Sequence, residues 1–416
     1  MRPKLRHYSN QTFSSLRVFN YRLYFIGQGI SLTGTWLQTI AQTWLMLELT
    51  NSATMIGLLT ATQFLPVLLL GPIGGVIADR FPKRRIIYIT QSSALLLALI
   101  LALLVSTHNV HVWMVFVLAA CLGLVNVVDS PTRQTFIMEM VGRDNLKNAV
   151  TLNSIEVNLA RVIGPAVAAV LIAKVGLAQC FFFNALSYIA VLVCLAAMKA
   201  HELEATKTIV KIRGQLGEGF RYVKNTPILR NVLIMMAIIG TLSYEFPVVL
   251  PVLAKHTFHG GATSYALLTG AMGVGSVIGG LITASRQKAS PWLLSLAALG
   301  FGISMLLVAI SPTVGVAALF MVAVGIASIG FLSIGNSTLQ LDSDPAMRGR
   351  VMSLWSVAFL GSTPIGGPII GLVSEHASPR WGLVVGGVAA LVAAVYGIST
   401  VRTRRRLALV SPDETV

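Results

Sequence analysis

The feature that most limits how this chain can fold is a succession of long apolar runs separated by short, charged connections. Twelve such runs are read at about 23–47, 53–78, 86–106, 112–139, 147–173, 177–198, 229–254, 262–284, 290–310, 313–338, 351–373 and 382–401. Each is near or above the roughly 20 residues that a helix needs to cross a bilayer core. Within lipid the backbone must satisfy its own hydrogen bonds, and runs this long and uniformly apolar suit helices rather than barrel strands. The expectation is an all-α membrane protein with twelve transmembrane helices. Composition agrees: 11% of the 416 residues are charged, against about a quarter in a soluble domain. The first run follows a basic start, but it is too long and too spotted with polar residues for a cleaved signal peptide, so it is expected to stay as a span.

The net charge of +16 would suggest a nucleic-acid partner in a soluble protein, so its distribution decides what it means. With an inside start, 26 of the 31 lysines and arginines fall in segments on one side of the membrane. That asymmetry is the positive-inside pattern, with both termini cytoplasmic. It explains the basic character without nucleic acid and sets the cations against anionic lipid. The organisation read from these segments is a cytoplasmic tail at 1–22, six spans over 23–198, a charged linker at 199–228, six spans over 229–401 and a second tail at 402–416.

The two sets of six spans are related. Ala53-Thr54 and Leu58-Leu59-Thr60 recur as Ala262-Thr263 and Leu267-Leu268-Thr269, Gly74-Gly75 as Gly279-Gly280, and Gly164-Pro165 as Gly367-Pro368. The offset stays close to 205 residues, which predicts duplicated halves. Each half holds an even number of spans, so the halves are expected as parallel repeats about an axis normal to the membrane.

Several function classes are set aside by what the chain lacks. It has no Gly-Lys dipeptide, hence no phosphate-cradling loop of the usual kind for a nucleotide-driven pump. No histidine falls inside the predicted spans, and Cys121, Cys180 and Cys194 have no metal-ligand spacing. The cysteines read as small buried hydrophobes, and His256 with His259 lacks a third ligand for a metal. No cofactor, no metal and no enzymatic centre are expected.

A charge near the bilayer centre costs about 2.5–3.5 kcal/mol on insertion scales and is usually retained facing the bundle interior beside a partner. Five ionisable residues qualify: Asp129, Arg133, Glu156, Arg161 and Glu245. With a rise of about 1.5 Å per residue, Asp129 and Glu156 sit at similar depth in successive helices. Two such carboxylates repel unless cations intervene. The expectation is a four-membered network, with Asp129 paired to Arg161 or Arg133 and Glu156 to the other, serving either as a clamp between helices or in transport. Glu245 stands apart from any cation in sequence, beside Pro247 and near Pro251. It is the stronger candidate to carry a proton, or else a glutamate solvated at a cavity mouth.

One loop carries a motif. Gly75, Asp79, Arg80, Lys83, Arg84 and Arg85 occupy the positions of the G-x-x-x-D-R-x-G-R-R loop between the second and third helices of the major facilitator superfamily, with Pro82 replacing a glycine. Tyr21-Arg22-Leu23-Tyr24-Phe25, Asp129-Ser130-Pro131-Thr132-Arg133-Gln134 and Ala160-Arg161-Val162-Ile163-Gly164-Pro165 further resemble the branch of bacterial exporters of enterobactin and macrolides, the transmembrane secretion effectors. The resemblance covers nearly the whole chain. It implies a monomeric, proton-coupled antiporter in the bacterial inner membrane that exports small organic molecules such as drugs or siderophores. An importer, a lipid flippase and a non-transporting sensor are the alternatives on the same scaffold.

Two departures bear on coupling: Ala119 stands where the drug-antiporter pattern has an arginine, and Ala168-Ala169 where it has two glycines. Arg161 is the candidate to take over that electrostatic role. The superfamily's cavity-lining helices would carry Gln28, Gln38, Gln42, Asn126 and Asn336 as polar substrate contacts. Asp79 would face the N-terminal end of the eleventh helix, where free amides favour an anion, and act as a cytoplasmic latch. The alternative for that loop is a topology signal alone. The second-half copy has Ala284 where the acid belongs, which predicts an asymmetric gate.

Overall fold

The computed structural model describes residues 14–203, 215–284, 290–344 and 347–410. Arg2, Lys4, Arg6, Lys207, Lys211, Arg213, Arg286 and Lys288, all counted in the basic segments, lie outside the described residues. Among those described, the chain is helical with no strand. It divides into two compact units, Met1–Thr50 with Thr62–Val210 and Asn51–Ala61 with Lys211–Val416.

The first unit begins with α1 (Phe19–Thr50), a helix of 32 residues. Eleven helical segments among the described residues are long and apolar enough to cross a membrane, and α1 is not one of them. Its glutamines and threonines dilute the apolar content, yet the helix holds because its hydroxyls are satisfied internally. Thr33 donates to the Gly29 carbonyl, Thr35 to Ser31 and Thr39 to Thr35, each at 2.9 Å, so these three hydroxyl donors need no partner outside the helix in lipid. Next come α2 (Ala53–Arg80) and α3 (Lys83–Ser106). The fourth and fifth predicted spans form one continuous trace, Val112–Lys174, broken only at Gly142, whose φ of 67° lies outside the helical region. The parts are α4 (Val112–Gly142) and α5 (Asp144–Lys174). A left-handed residue costs a glycine little, so the chain reverses there without a loop. Helix α6 (Leu177–Ala197) closes this set.

Close helix approach in this unit falls at glycines. A Cβ on Gly74 of α2 would meet the Val127 carbonyl of α4 at 1.9 Å, and one on Gly123 of α4 would meet the Gln63 carbonyl of α2 at 2.3 Å. Only hydrogen fits at either place. An aromatic and aliphatic core then knits the ends of α1, α3, α4, α5 and α6, with Tyr21, Tyr24, Ile87, Phe136, Leu152 and Leu195 buried together.

The second unit opens with α7 (Gln215–Asn225) in the predicted linker. Gly219 and Val223 are its buried face, and Glu218 pairs with Arg350 at 2.9 Å. The spans expected at 229–254 and 351–373 are each interrupted. The first becomes α8 (Pro227–Leu242), α9 (Phe246–Val252) and a π-helical turn, Leu253–Thr257. Pro247 has no N–H to offer the carbonyl four residues back, and Pro251 repeats the defect, so a continuous helix is lost. The remaining helices are α10 (Ala262–Ala284), α11 (Pro291–Ala309), α12 (Val314–Leu341), α13 (Arg348–Leu360), α14 (Thr363–His376) and α15 (Pro379–Val410). Pro364 separates α13 from α14 by the same missing donor. Here too glycines set the crossing of α10 and α12: a Cβ on Gly275 would lie 2.0 Å from the Val322 carbonyl, and one on Gly325 would lie 2.0 Å from the Met272 carbonyl.

Candidate functional site

The first unit contains a cavity of about 290 Å³ between α1, α2, α3, α4, α5 and α6. Its lining is mostly neutral and polar: Gln28, Gln63, Gln91, Asn126, Ser130, Gln134 and Asn153, with Tyr24 and Tyr188. Its charged members are Asp129 and Arg133. One turn apart on α4, they point the same way, and the Arg133 Nε donates to Asp129 Oδ2 at 2.5 Å. The other carboxylate oxygen, Oδ1, accepts from the Thr90 hydroxyl at 2.5 Å and from the Gln91 amide at 3.0 Å, both on α3. A buried carboxylate thus has three donors, as a charge in a low-dielectric site requires.

Glu156 does not join this group in the way the sequence suggested. It is buried on α5 with Oε1 lacking a hydrogen-bond partner, against Gly29 of α1, where a Cβ would lie 2.8 Å from that oxygen. Arg161 lies over the ring of Trp36 on α1, 5.2 Å from its centroid. The helix turn separates them: five residues along α5 place Glu156 and Arg161 on different faces. The four-membered arrangement is therefore a tight Asp129–Arg133 pair held by Thr90 and Gln91, with Glu156 and Arg161 each set against α1.

The amides predicted to meet substrate divide in the same way. Gln28 and Asn126 line the cavity. Gln38 and Gln42 do not appear in its lining; Asn184 of α6 donates to Gln38 Oε1 at 2.5 Å, and Gln38 in turn donates to Gln42 at 3.4 Å. That chain of amides joins α1 to α6. Asn336 of α12, in the second unit, accepts from Gln340 one turn on. Residues not anticipated are Thr90 and Gln91, together with Gln63, Gln134 and Asn153. The run Thr90-Gln91-Ser92-Ser93, a polar interruption of an otherwise apolar span, is the signal that marks the first two.

Glu245 lies in the second unit, 3% exposed, at the break between α8 and α9. Its carbonyl starts α9 by accepting from Val248 and Val249 at 3.0 and 3.1 Å. Its side chain is pressed on the glycine pair of α14: a Cβ on Gly366 would lie 2.9 Å from Oε1, and one on Gly367 would lie 3.5 Å from Oε2. The neighbouring Tyr244 donates to the Ser328 carbonyl at 2.8 Å and packs its ring at a tilt against Phe301 and edge-to-face with Phe359. Among the described residues Glu245 has no salt-bridge partner, so it is a buried acid without a compensating charge.

In the motif loop, the cations serve packing inside the first unit. Lys83, itself buried, pairs with Glu139 of α4 at 2.7 Å, and the Arg84 guanidinium donates to the Leu195 carbonyl of α6 at 2.7 Å. The second of these neutralises an open carbonyl at a helix C-terminus. Asp79 is half-buried in the last turn of α2, while Arg80 and Arg85 are exposed. Gly74, rather than Gly75, makes the close contact with α4.

The sequence and the helical fold that carries this cavity are matched by known proteins. The model of the transmembrane secretion effector family matches residues 10–412. The chain belongs to that family of major facilitator transporters. Among curated relatives, the transporter is 24% identical over 407 residues to the enterobactin exporter EntS of Escherichia coli, spanning 95% of each chain. It is 24% identical over 360 residues to the multidrug efflux pump Tap of Mycolicibacterium fortuitum, covering 83% of this chain and 88% of that one. The match to the staphyloferrin A transporter of Staphylococcus aureus is 26% over 267 residues, 63% of this chain and 66% of that protein. Its fold is shared with a bacterial homologue of the human lysosomal transporter Spinster in an inward-facing, unoccupied conformation, at a TM-score of 0.72, 15% identity and coverage of 93% and 97%. A mutant of the peptide transporter POT gives a TM-score of 0.75 at 14% identity, covering 93% and 95%. The transporter is thus a multi-pass membrane protein whose relatives carry small molecules.

Proposed function

We propose that this transporter is a proton-coupled antiporter that exports small organic molecules, in the class of drugs or siderophores, by alternating access in a bacterial inner membrane. The observation that carries the reading is the cavity of the first unit, where Asp129 and Arg133 form a charge-neutral pair amid Gln28, Gln91 and Asn126. A site of neutral amides around one ion pair suits polar organic solutes. The names of the relatives EntS and Tap support export as its direction.

In this proposal Glu245 is the first choice for the proton carrier. It is a buried acid at a helix break, with no ion pair among the described residues to hold it charged. Asp129, Glu156, Arg161 and Arg133 form the second candidate set. Gly75, Asp79, Arg80, Lys83, Arg84 and Arg85 are assigned to the gating loop, and Gln28, Asn126 and Asn336 to substrate contact. The proposed architecture is twelve spans in two parallel repeats, with both termini cytoplasmic and a monomeric working unit. The glycine crossings favour such a duplication: Gly74 on Val127 and Gly123 on Gln63 in the first unit correspond to Gly279 on Ile326 and Gly325 on Met272 in the second.

The test is flux in proteoliposomes under an imposed pH gradient, with a panel of amphiphilic drugs and siderophores. Glu245→Gln and Asp129→Asn are expected to abolish gradient-driven export while leaving a folded, membrane-inserted protein. Undiminished flux in both variants would reject the coupling assignment. Net uptake down the same gradient would select the importer, and phospholipid movement the flippase. Ligand binding without flux would select the sensor.

A further inference from the structure

The N-terminus of α2 is held by a side chain from α14. Glu375, in the last turn of α14, accepts through Oε2 from the Thr54 backbone N–H at 2.8 Å and from the Ser52 hydroxyl at 2.5 Å. Ser52 in turn accepts from the Met55 N–H at 3.2 Å. The opening turn of α2 therefore has two of its free amides satisfied, one by its own cap residue and one by a carboxylate more than 300 residues away in sequence. The charge also faces the positive end of the helix dipole.

Behind this cap the two helices touch through backbone. A Cβ on Gly371 would lie 2.7 Å from the Ala53 carbonyl, and one on Gly57 would lie 2.3 Å from the Gly367 carbonyl. Residues Asn51–Ala61 belong to the same compact unit as α14, whereas α2 from Thr62 onward belongs to the other. The grip on this one stretch comes from glycine surfaces, which bury little apolar area, and from two polar bonds at an exposed end. Such a contact opens at little expense, because water replaces the polar bonds and few side chains must be unpacked.

We infer that Glu375 and Ser52 form a releasable catch, a positioning pair for the transport cycle that seats residues 51–61 on α14 in this state and lets go when that end of the bundle opens. This rests on the reading that the protein transports by alternating access. Glu375 touches no substrate in this role; it acts through the seating of α2.

The experiment starts from a background in which Cys121, Cys180 and Cys194 are replaced by alanine. Ser52→Cys with Glu375→Cys is expected to form a disulfide on mild oxidation and to stop flux, with a reductant returning it to the level of the reduced pair. In a second arm, spin labels at Asn51→Cys and His376→Cys report one short distance in the parent protein. Adding Glu375→Ala shifts the population toward longer distances by about tenfold, the scale set by losing charge-assisted hydrogen bonds, and Glu375→Asp restores part of the short population. Full flux through the oxidised pair, failure of the pair to cross-link, or a distance distribution indifferent to Glu375→Ala overturns the catch. Should the parent protein move no solute at all, the transport reading fails instead, and the spin-label arm still decides whether the contact opens.

Discussion

At the scale of single residues, the cavity depends on one carboxylate holding one guanidinium. Breaking a buried pair by removing one partner costs about 3–5 kcal/mol, because the other charge stays behind uncompensated. Asp129→Asn and Arg133→Gln should each lower the Tm of the detergent-solubilised protein, and the double variant should lose less than the two losses added. A double-mutant cycle is expected to return about 0.5–3 kcal/mol of coupling; strictly additive losses would mean the pair does not interact. The sequence left Asp129 two possible partners, Arg133 and Arg161, and the one four residues along the same helix face is the one the structure pairs with it. The part played by Thr90 and Gln91 was not readable in advance, because which face of α3 meets α4 depends on the rotation of both helices. Gln38 and Gln42 make the same point from the other side. Their common face was evident, but α6 supplies Asn184 to it, so packing rather than the cavity takes those amides.

At the scale of helices, glycine and proline decide the geometry. Gly74→Ala and Gly275→Ala place a methyl group about where a carbonyl oxygen of the facing helix now lies, and overpacking of this kind costs typically about 1–3 kcal/mol. Both should lower thermal stability in a fluorescence size-exclusion assay, whereas Gly71→Ala and Gly280→Ala, with nothing within 4 Å of the added carbon, should leave it unchanged. Pro247→Ala returns an N–H to the break between α8 and α9. If the break is needed for movement around Glu245, that variant keeps its Tm and loses flux; unaltered flux would count against a moving α9. The glycine pairs were visible as sequence repeats. The interruptions at residues 243–245 and 361–362 fell inside runs read as unbroken spans, because hydropathy averages over a turn that a proline disrupts locally. The Gly142 reversal was likewise invisible as geometry, although the polar stretch Gly142-Arg143-Asp144-Asn145 marked its place.

At the scale of the whole molecule, charge placement sets orientation and contact decides grouping. With both termini inside, a cysteine introduced at Asn109 or Gly261 should react with a membrane-impermeant maleimide in intact cells, and one at Lys224 only after permeabilisation; the reverse pattern would invert the topology. Membrane class, the order of the apolar segments, the charged linker and the exporter-like motifs were all legible from the chain alone. Hydrophobic length and charge bias act along the sequence and need no knowledge of neighbours. Tertiary structure decided the rest: that Asp129 gathers Thr90 and Gln91, that Glu156 and Arg161 turn to α1, that Lys83 and Arg84 brace their own unit, and that residues 51–61 group with α14. Those choices follow from which helix faces meet and at what rotation, and a pattern of apolar residues surrounded by lipid on one side and protein on the other leaves that rotation open.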